Sequence, residues 1–230
     1  MSLFFINVIF LSIFKSMKYK HIIWDWNGTL LNDTSLCVAL LNESLSKRDI
    51  PKVSIQQYRE KFLFPIKTFY ESVGFNFENE PFEKTNKEFH DGFEQQFRKL
   101  ALQPFAKETI IKINETNTIQ SILSATIQQR LTEQVGFFDL HNYLDNIVGI
   151  SSTPSGYGKE YEGSELMMAV DIPVSETIIV GDSILDFSVS QSLGIDCALV
   201  YNGHNDVDRL KATGAYTFEH IDGFYSWLTG

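Results

Sequence analysis

The sequence predicts an α/β fold: a doubly wound parallel sheet forming a Rossmann-like core, with a small all-helical cap. Two observations carry this. From Pro104 onward, short apolar runs alternate with segments of helical periodicity, which implies right-handed crossovers and helices on both faces of one sheet. The first apolar run is instead followed by residues 32–102, which contain no convincing strand. At 230 residues and 43% hydrophobic, the chain can bury one good core plus an appended module. The expected division is a core of residues 17–31 and 103–230, with a cap of residues 32–102.

Taken in order, Leu3 to Phe14 is almost continuously apolar but too short to span a bilayer as a helix. It lacks the basic leader and small-residue cleavage site of a secretory signal. Met17 looks like a natural beginning, so residues 1–16 are expected to be an extension without function. His21-Ile22-Ile23-Trp24 reads as a buried strand that delivers Asp25 to its carboxyl end, after which Gly28-Thr29 turns the chain. Thr34 or Ser35 then caps a helix carrying Leu36, Leu40, Leu41 and Leu45, which Pro51 ends. Ser54 caps a second helix around Ile55, Tyr58 and Phe62, and a loop through Pro65 enters a third that Gly74 closes. A longer helix after Pro81 carries Phe89, Phe93, Phe97 and Leu100, a stripe that reads as bundle core.

In the second half, a helix through Ile110, Ile111 and Ile113 leads into a strand over Thr118–Ser124. A helix over Ile127–Val135 and the strand Asn146–Ile150 follow. A Ser, Pro and Gly-rich loop runs to Lys159, and a helix through Leu166, Met167 and Val170 comes next. The strand Thr177–Val180 ends in Gly181-Asp182, a last main strand covers Cys197–Val200, and Ile221–Leu228 reads as an amphipathic packing helix.

Composition narrows the function. A formal net charge of -10 repels nucleic acid and an anionic membrane surface, while a small charged substrate in a local site is allowed. The two cysteines, Cys37 and Cys197, lie far apart with no metal-type spacing, which argues against a disulfide framework or a zinc cluster and for a reducing, cytoplasmic setting.

Asp25, Ser124, Lys159, Asp182 and Asp186 all fall at carboxyl ends of strands or in the loops beyond them, where a doubly wound sheet forms one crevice. Three converging carboxylates repel one another unless a hard divalent cation joins them, and an all-oxygen set suits Mg²⁺. Ser124 and Lys159 then supply a donor and a positive charge for a phosphoryl group, and Asp25 is the natural nucleophile. Each residue also has an ordinary explanation: a strand-end hydroxyl for Ser124, a solvated cation for Lys159, helix capping near Ser183 for Asp182 and Asp186.

Asp25-Trp26-Asn27-Gly28-Thr29-Leu30, Ser124, Lys159 and Gly181-Asp182-Ser183-Ile184-Leu185-Asp186 together resemble the four ordered motifs of the haloacid dehalogenase superfamily. The helical insertion is similar to the cap of its phosphoglycolate-phosphatase-like members. The resemblance implies a Mg²⁺-dependent phosphatase of a small phosphorylated metabolite. It assigns Asp25 as nucleophile, and Asp25, Asp182, Asp186 and the Asn27 carbonyl as metal ligands. The phosphoryl group would be bound by Gly28, Ser124, the Ala125 amide and Lys159.

One position departs from that family. Its phosphatases usually have a second Asp two residues after the nucleophile, as the acid that protonates the leaving group, and this chain has Asn27. An amide cannot do this, and such help is worth about 10² to 10⁴ in rate. His204, in a turn-like Asn202-Gly203 setting, is one candidate substitute. Two other readings follow. A phosphonoacetaldehyde-hydrolase-like enzyme needs no such acid and would use a cap lysine, with Lys67 the candidate; a catalytically impaired member would only bind a phosphorylated ligand or a protein.

Overall fold

The computed structural model describes residues 17–151 and 159–230; the expectations for residues 1–16 and for the loop 152–158 lie outside the described residues. Its sheet has six parallel strands, β1 (His21–Trp24), β2 (Ile119–Ile127), β3 (Asn146–Ile150), β4 (Thr177–Gly181), β5 (Asp196–Val200) and β6 (Tyr216–Phe218), in the order β3-β2-β1-β4-β5-β6. The chain builds outward to one side of β1 and then returns to build outward on the other. That reversal places the ligand crevice of such a sheet at the carboxyl ends of β1 and β4.

All four residues of β1 are buried, and their alternation divides the interior. Ile22 and Trp24 point into one apolar cluster, whereas Ile23 points into another with Leu123, Ile179 and Leu199. The Trp24 ring meets Phe224 edge-on at 5.7 Å and its Nε1–H donates to Gln120 Oε1 at 3.1 Å, so its one polar atom is satisfied inside the core.

Between β1 and β2 come α1 (Thr34–Ser46), α2 (Ile55–Lys61), α3 (Ile66–Ser72) and α4 (Phe82–Gln96). Ser54 caps α2 as the sequence predicts, accepting from the Gln57 N–H at 3.1 Å while Gln57 Oε1 accepts from the Ser54 N–H at 2.8 Å. At α1 the expectation of Thr34 or Ser35 fails: Asp33 holds the cap position, and its carboxylate makes no capping bond but faces the Cys37 thiol one turn on (3.6 Å). The Phe stripe is core, with Phe93 and Phe97 buried, but α4 ends at Gln96 and Phe97–Lys99 tightens into a 3₁₀ turn. Leu40, Leu41, Tyr58, Phe93 and Phe97 belong to the same apolar cluster as Trp24, Leu30 and Ile110, so the insertion packs against one face of the sheet.

The remaining helices are α5 (Ala106–Asn114), α6 (Gln128–Phe137), α7 (Glu160–Val170), α8 (Ile184–Leu193), α9 (Val207–Ala212) and α10 (Ile221–Thr229). Strand β2 runs three residues beyond the expected end, because its pairing with β3 shifts register between Ser124 and Ile127 and resumes. The sequence reading missed β6, a three-residue edge strand with half-exposed side chains and no apolar run, and it missed the short α9. Among the described residues, no helix is long and apolar enough to cross a membrane.

Polar contacts fasten α2 to the loop after β5. Arg59 Nε donates to the Gly203 carbonyl (2.9 Å), Asn205 Nδ2 to the Phe62 carbonyl (2.9 Å), and an Arg209 guanidinium N–H to both the Arg59 (3.0 Å) and Phe62 (2.8 Å) carbonyls.

Trp24→Ala empties the centre of the sheet's larger core and leaves Gln120 Oε1 without its donor. It is expected to lower unfolding stability by about 3–5 kcal/mol in urea titrations; a loss below about 1 kcal/mol would show that this packing is not central.

Candidate active site

Asp25 follows β1 directly, and its N–H still donates to the Val180 carbonyl (2.9 Å), so strand pairing fixes the backbone from which the carboxylate projects. Lys159, at the start of α7, is fully buried and meets three oxygens: Asp25 Oδ1, the Leu123 carbonyl (2.7 Å) and Asp186 Oδ1 (2.8 Å). One ammonium thus ties together β1, β2 and α8. The solvated-cation reading of Lys159 does not hold.

Asp186 closes the cap of α8 with its other oxygen, which accepts from the Ser183 hydroxyl (2.6 Å) and N–H (3.0 Å). Asp182 does not cap the helix. It accepts from the Thr29 hydroxyl (2.7 Å) and the His204 N–H (2.6 Å). One carboxylate oxygen each from Asp25, Asp182 and Asp186 lies within 4.8 Å of the others, all three buried. Gly181 is required here, since a Cβ would sit 2.1 Å from the Asp186 carboxyl carbon.

Ser124 is buried on β2, two residues beyond the Ile122 that pairs with Trp24, and its neighbour Leu123 gives its carbonyl to Lys159. Ala125 follows, half-buried. Gly28 has φ +80°, and a Cβ there would meet Asp182 Oδ2 at 2.4 Å. Its N–H is already given to Asp33 Oδ1 (2.8 Å) and the Leu31 carbonyl (3.0 Å), so its evident contribution is close approach.

The Asn27 side chain is committed on both sides: Nδ2 donates to Asp33 Oδ2 (2.7 Å) and Oδ1 accepts from the Thr126 hydroxyl (2.7 Å). Asp33, Thr29 and Thr126 are the residues that sequence reasoning missed. Their signal was weak, because a polar residue before a helix or after a strand is usually only a cap. His204 is buried, with Tyr58 Oη 2.9 Å from Nδ1 and Asp33 Oδ1 3.3 Å from Nε2. Lys67 is exposed, its ammonium 5.9 Å over the Phe77 ring, without the burial that a Schiff-base lysine uses.

Burial pushes Asp25 up to about 8: Lys159 pulls it back, and Asp186 and Asp182 add to the rise. Burial likewise pushes Asp182 up to about 6, against the pull of His204. Burial acts to lower the Lys159 ammonium, but Asp186 and Asp25 outweigh it and raise it. Three buried carboxylates facing one ammonium fit a further cation, and their oxygen donors suit a hard one.

The family model described as haloacid dehalogenase-like hydrolase matches residues 22–200. A protein of Caldanaerobacter subterraneus subsp. tengcongensis bearing the name pyrophosphatase PpaX is 20% identical over 185 residues, 78% of this chain and 80% of its own. The crystal structure of a predicted phosphatase from Clostridium acetobutylicum superposes with a TM-score of 0.78 at 20% identity, over 92% of this chain and 98% of that one. A predicted phosphoglycolate phosphatase from Haemophilus somnus 129pt gives 0.74 at 17% identity, over 91% and 98%. These structural likenesses show a shared fold.

Lys159→Met leaves Asp25 and Asp186 buried without their cation and is expected to cost about 3–5 kcal/mol in metal-free buffer, read by urea unfolding; an unchanged midpoint would refute the ion-pair account. In chelator, the wild type should lose stability as pH rises from about 6.5, above which His21 and His90 no longer act in the opposite sense, toward about 8. The raised carboxyls keep protons in the folded chain that the unfolded chain has released. A melting temperature that rises over that window would contradict the assignment.

Proposed function

Because the chain belongs to the haloacid dehalogenase-like hydrolases, we propose that it is a Mg²⁺-dependent phosphatase of a small phosphorylated metabolite, acting through an aspartyl-phosphate on Asp25. The observation that carries this reading is the single buried ammonium of Lys159 joining Asp25 to Asp186 beside Asp182. The Asp25 carboxylate attacks phosphorus, the substrate's ester oxygen departs, and water then hydrolyses the acyl phosphate to free the carboxylate. Lys159 and Ser124, with the Ala125 amide, hold the transferring phosphoryl oxygens; the Gly28 N–H is already given to Asp33 and Leu31. Asp25, Asp182, Asp186 and the Asn27 carbonyl would hold Mg²⁺, whose charge offsets that of the phosphoryl group and keeps Asp25 ionised.

In this reading residues 17–31 and 103–230 form the core and residues 32–102 a cap that closes over substrate. A cavity of about 210 Å³ beside the Asp182–Asp186 turn supports it, lined from the insertion by Phe62 and Phe64 and from the core by Ser183, Ile184, Asn205 and Arg209. The acidic surface fits a cytoplasmic enzyme acting on small molecules rather than on nucleic acid or membranes. The exposed Lys67 does not favour the Schiff-base alternative.

Asn27 gives the reading a definite substrate dependence. Its amide has no proton to lend, so leaving groups that depart as stable anions are favoured. Aryl phosphate turnover is expected to require both Mg²⁺ and Asp25, to vanish in Asp25→Asn, and to exceed alkyl turnover. Asn27→Asp puts a carboxyl 2.7 Å from the Asp33 carboxylate, a pair that shares a proton at neutral pH. Alkyl turnover should then rise by about 10² to 10⁴. No aryl turnover with Mg²⁺ would remove the phosphatase reading; strong wild-type alkyl turnover would show that another group supplies the proton.

A further inference from the structure

Beside the cluster of three carboxylates, the fold assembles a second group of metal-type donors. Asp33, Cys37 and His204 are all buried, and one ligand atom from each lies within 4.8 Å of the other two. Asp33 and Cys37 occupy successive turns at the start of α1, while His204 comes from the loop after β5. We propose that these three residues form a site for a borderline transition cation of the Zn²⁺ class, distinct from the all-oxygen site at Asp25.

Three features support this. The donor set is one nitrogen, one sulfur and one oxygen, a combination that selects Zn²⁺ or Co²⁺ over Mg²⁺. The donors already converge on one carboxylate, with His204 Nε2 3.3 Å from Asp33 Oδ1 and Cys37 Sγ 3.6 Å from Asp33 Oδ2. The ligands are also held from behind. Tyr58 Oη lies 2.9 Å from His204 Nδ1, leaving Nε2 for the cation, and the Gly28 N–H and Asn27 amide fix the Asp33 carboxylate.

Loading sends the proton on Nε2 and the thiol proton to solvent, and the imidazole, thiolate and carboxylate then balance the dication. Water or the second Asp33 oxygen completes the coordination. The bound cation ties α1 to the loop that Tyr58 and Phe62 already cover, with the Phe62 ring stacked on His204 at 5.0 Å. It therefore holds the insertion against the sheet. Asp33 and Cys37 are four residues apart, but His204 lies far along the chain, which explains why cysteine spacing gave no sign of the site.

The test is Co²⁺ titration of the full chain in excess Mg²⁺, followed by absorption spectroscopy. One Co²⁺ per chain with a thiolate-to-cobalt charge-transfer band is expected in the wild type and in Cys197→Ser, with loss of that band in Cys37→Ser. Absence of the band in the wild type, or its survival in Cys37→Ser, overturns the proposal. Should Cys37→Ser not fold, X-ray absorption of zinc-loaded Cys197→Ser decides: one sulfur at about 2.3 Å supports the site, and an all-oxygen shell overturns it. The result stands apart from the phosphatase reading, because metal uptake is read without turnover.

Discussion

The Lys159 ammonium is the contact on which the rest of the arrangement depends. It is fully buried, with Asp25 from β1 on one side, Asp186 from α8 on another and the Leu123 carbonyl of β2 on a third. A buried charge is tolerable only when its partners are close and well placed. The three elements are therefore constrained together: displacing any one of them strands a charge in the interior. The order of the sheet makes this possible, since β1 lies between β2 and β4 and the three strands end side by side.

Around that contact, the backbone is shaped by what must approach it. Gly181 leaves room for the Asp186 carboxylate, and Gly28 leaves room for Asp182 and His204. The carboxylates are held by short-range donors, the Thr29 hydroxyl and the His204 and Ser183 N–H groups, so little reorganisation is needed when charge changes in the crevice. The same loop that gives its N–H to Asp182 is fastened to α2 through Arg59 and Asn205. Position of the insertion and position of a metal-type carboxylate are thereby mechanically linked.

Asn27 shows how one substitution is absorbed. Its amide bridges the Asp33 carboxylate and the Thr126 hydroxyl, a role that needs one donor and one acceptor on the same side chain. Beside an ionised Asp33, a deprotonated carboxylate at this position would lack the donor. The residue is thus well suited to its surroundings even though it cannot exchange a proton.

The sequence by itself determined the alternation of strands and helices, the helical insertion and the Ser54 cap, because hydrophobic period and turn chemistry are local properties written along the chain, and the position of Asp25, Lys159, Asp182 and Asp186 beyond strand ends pointed to the cluster they form. It did not determine the edge strand β6, whose three residues carry too little pattern, nor the start of α1, where Asp33 faces Asn27 and Gly28 instead of capping its helix. Only the tertiary structure decided that Lys159 is buried, that Asp182 turns to Thr29 and His204, and that Asp33, Cys37 and His204 meet. Apart from the local pair Asp33 and Cys37, these are contacts between residues far apart in the chain, set by strand order and packing, and no local periodicity encodes them.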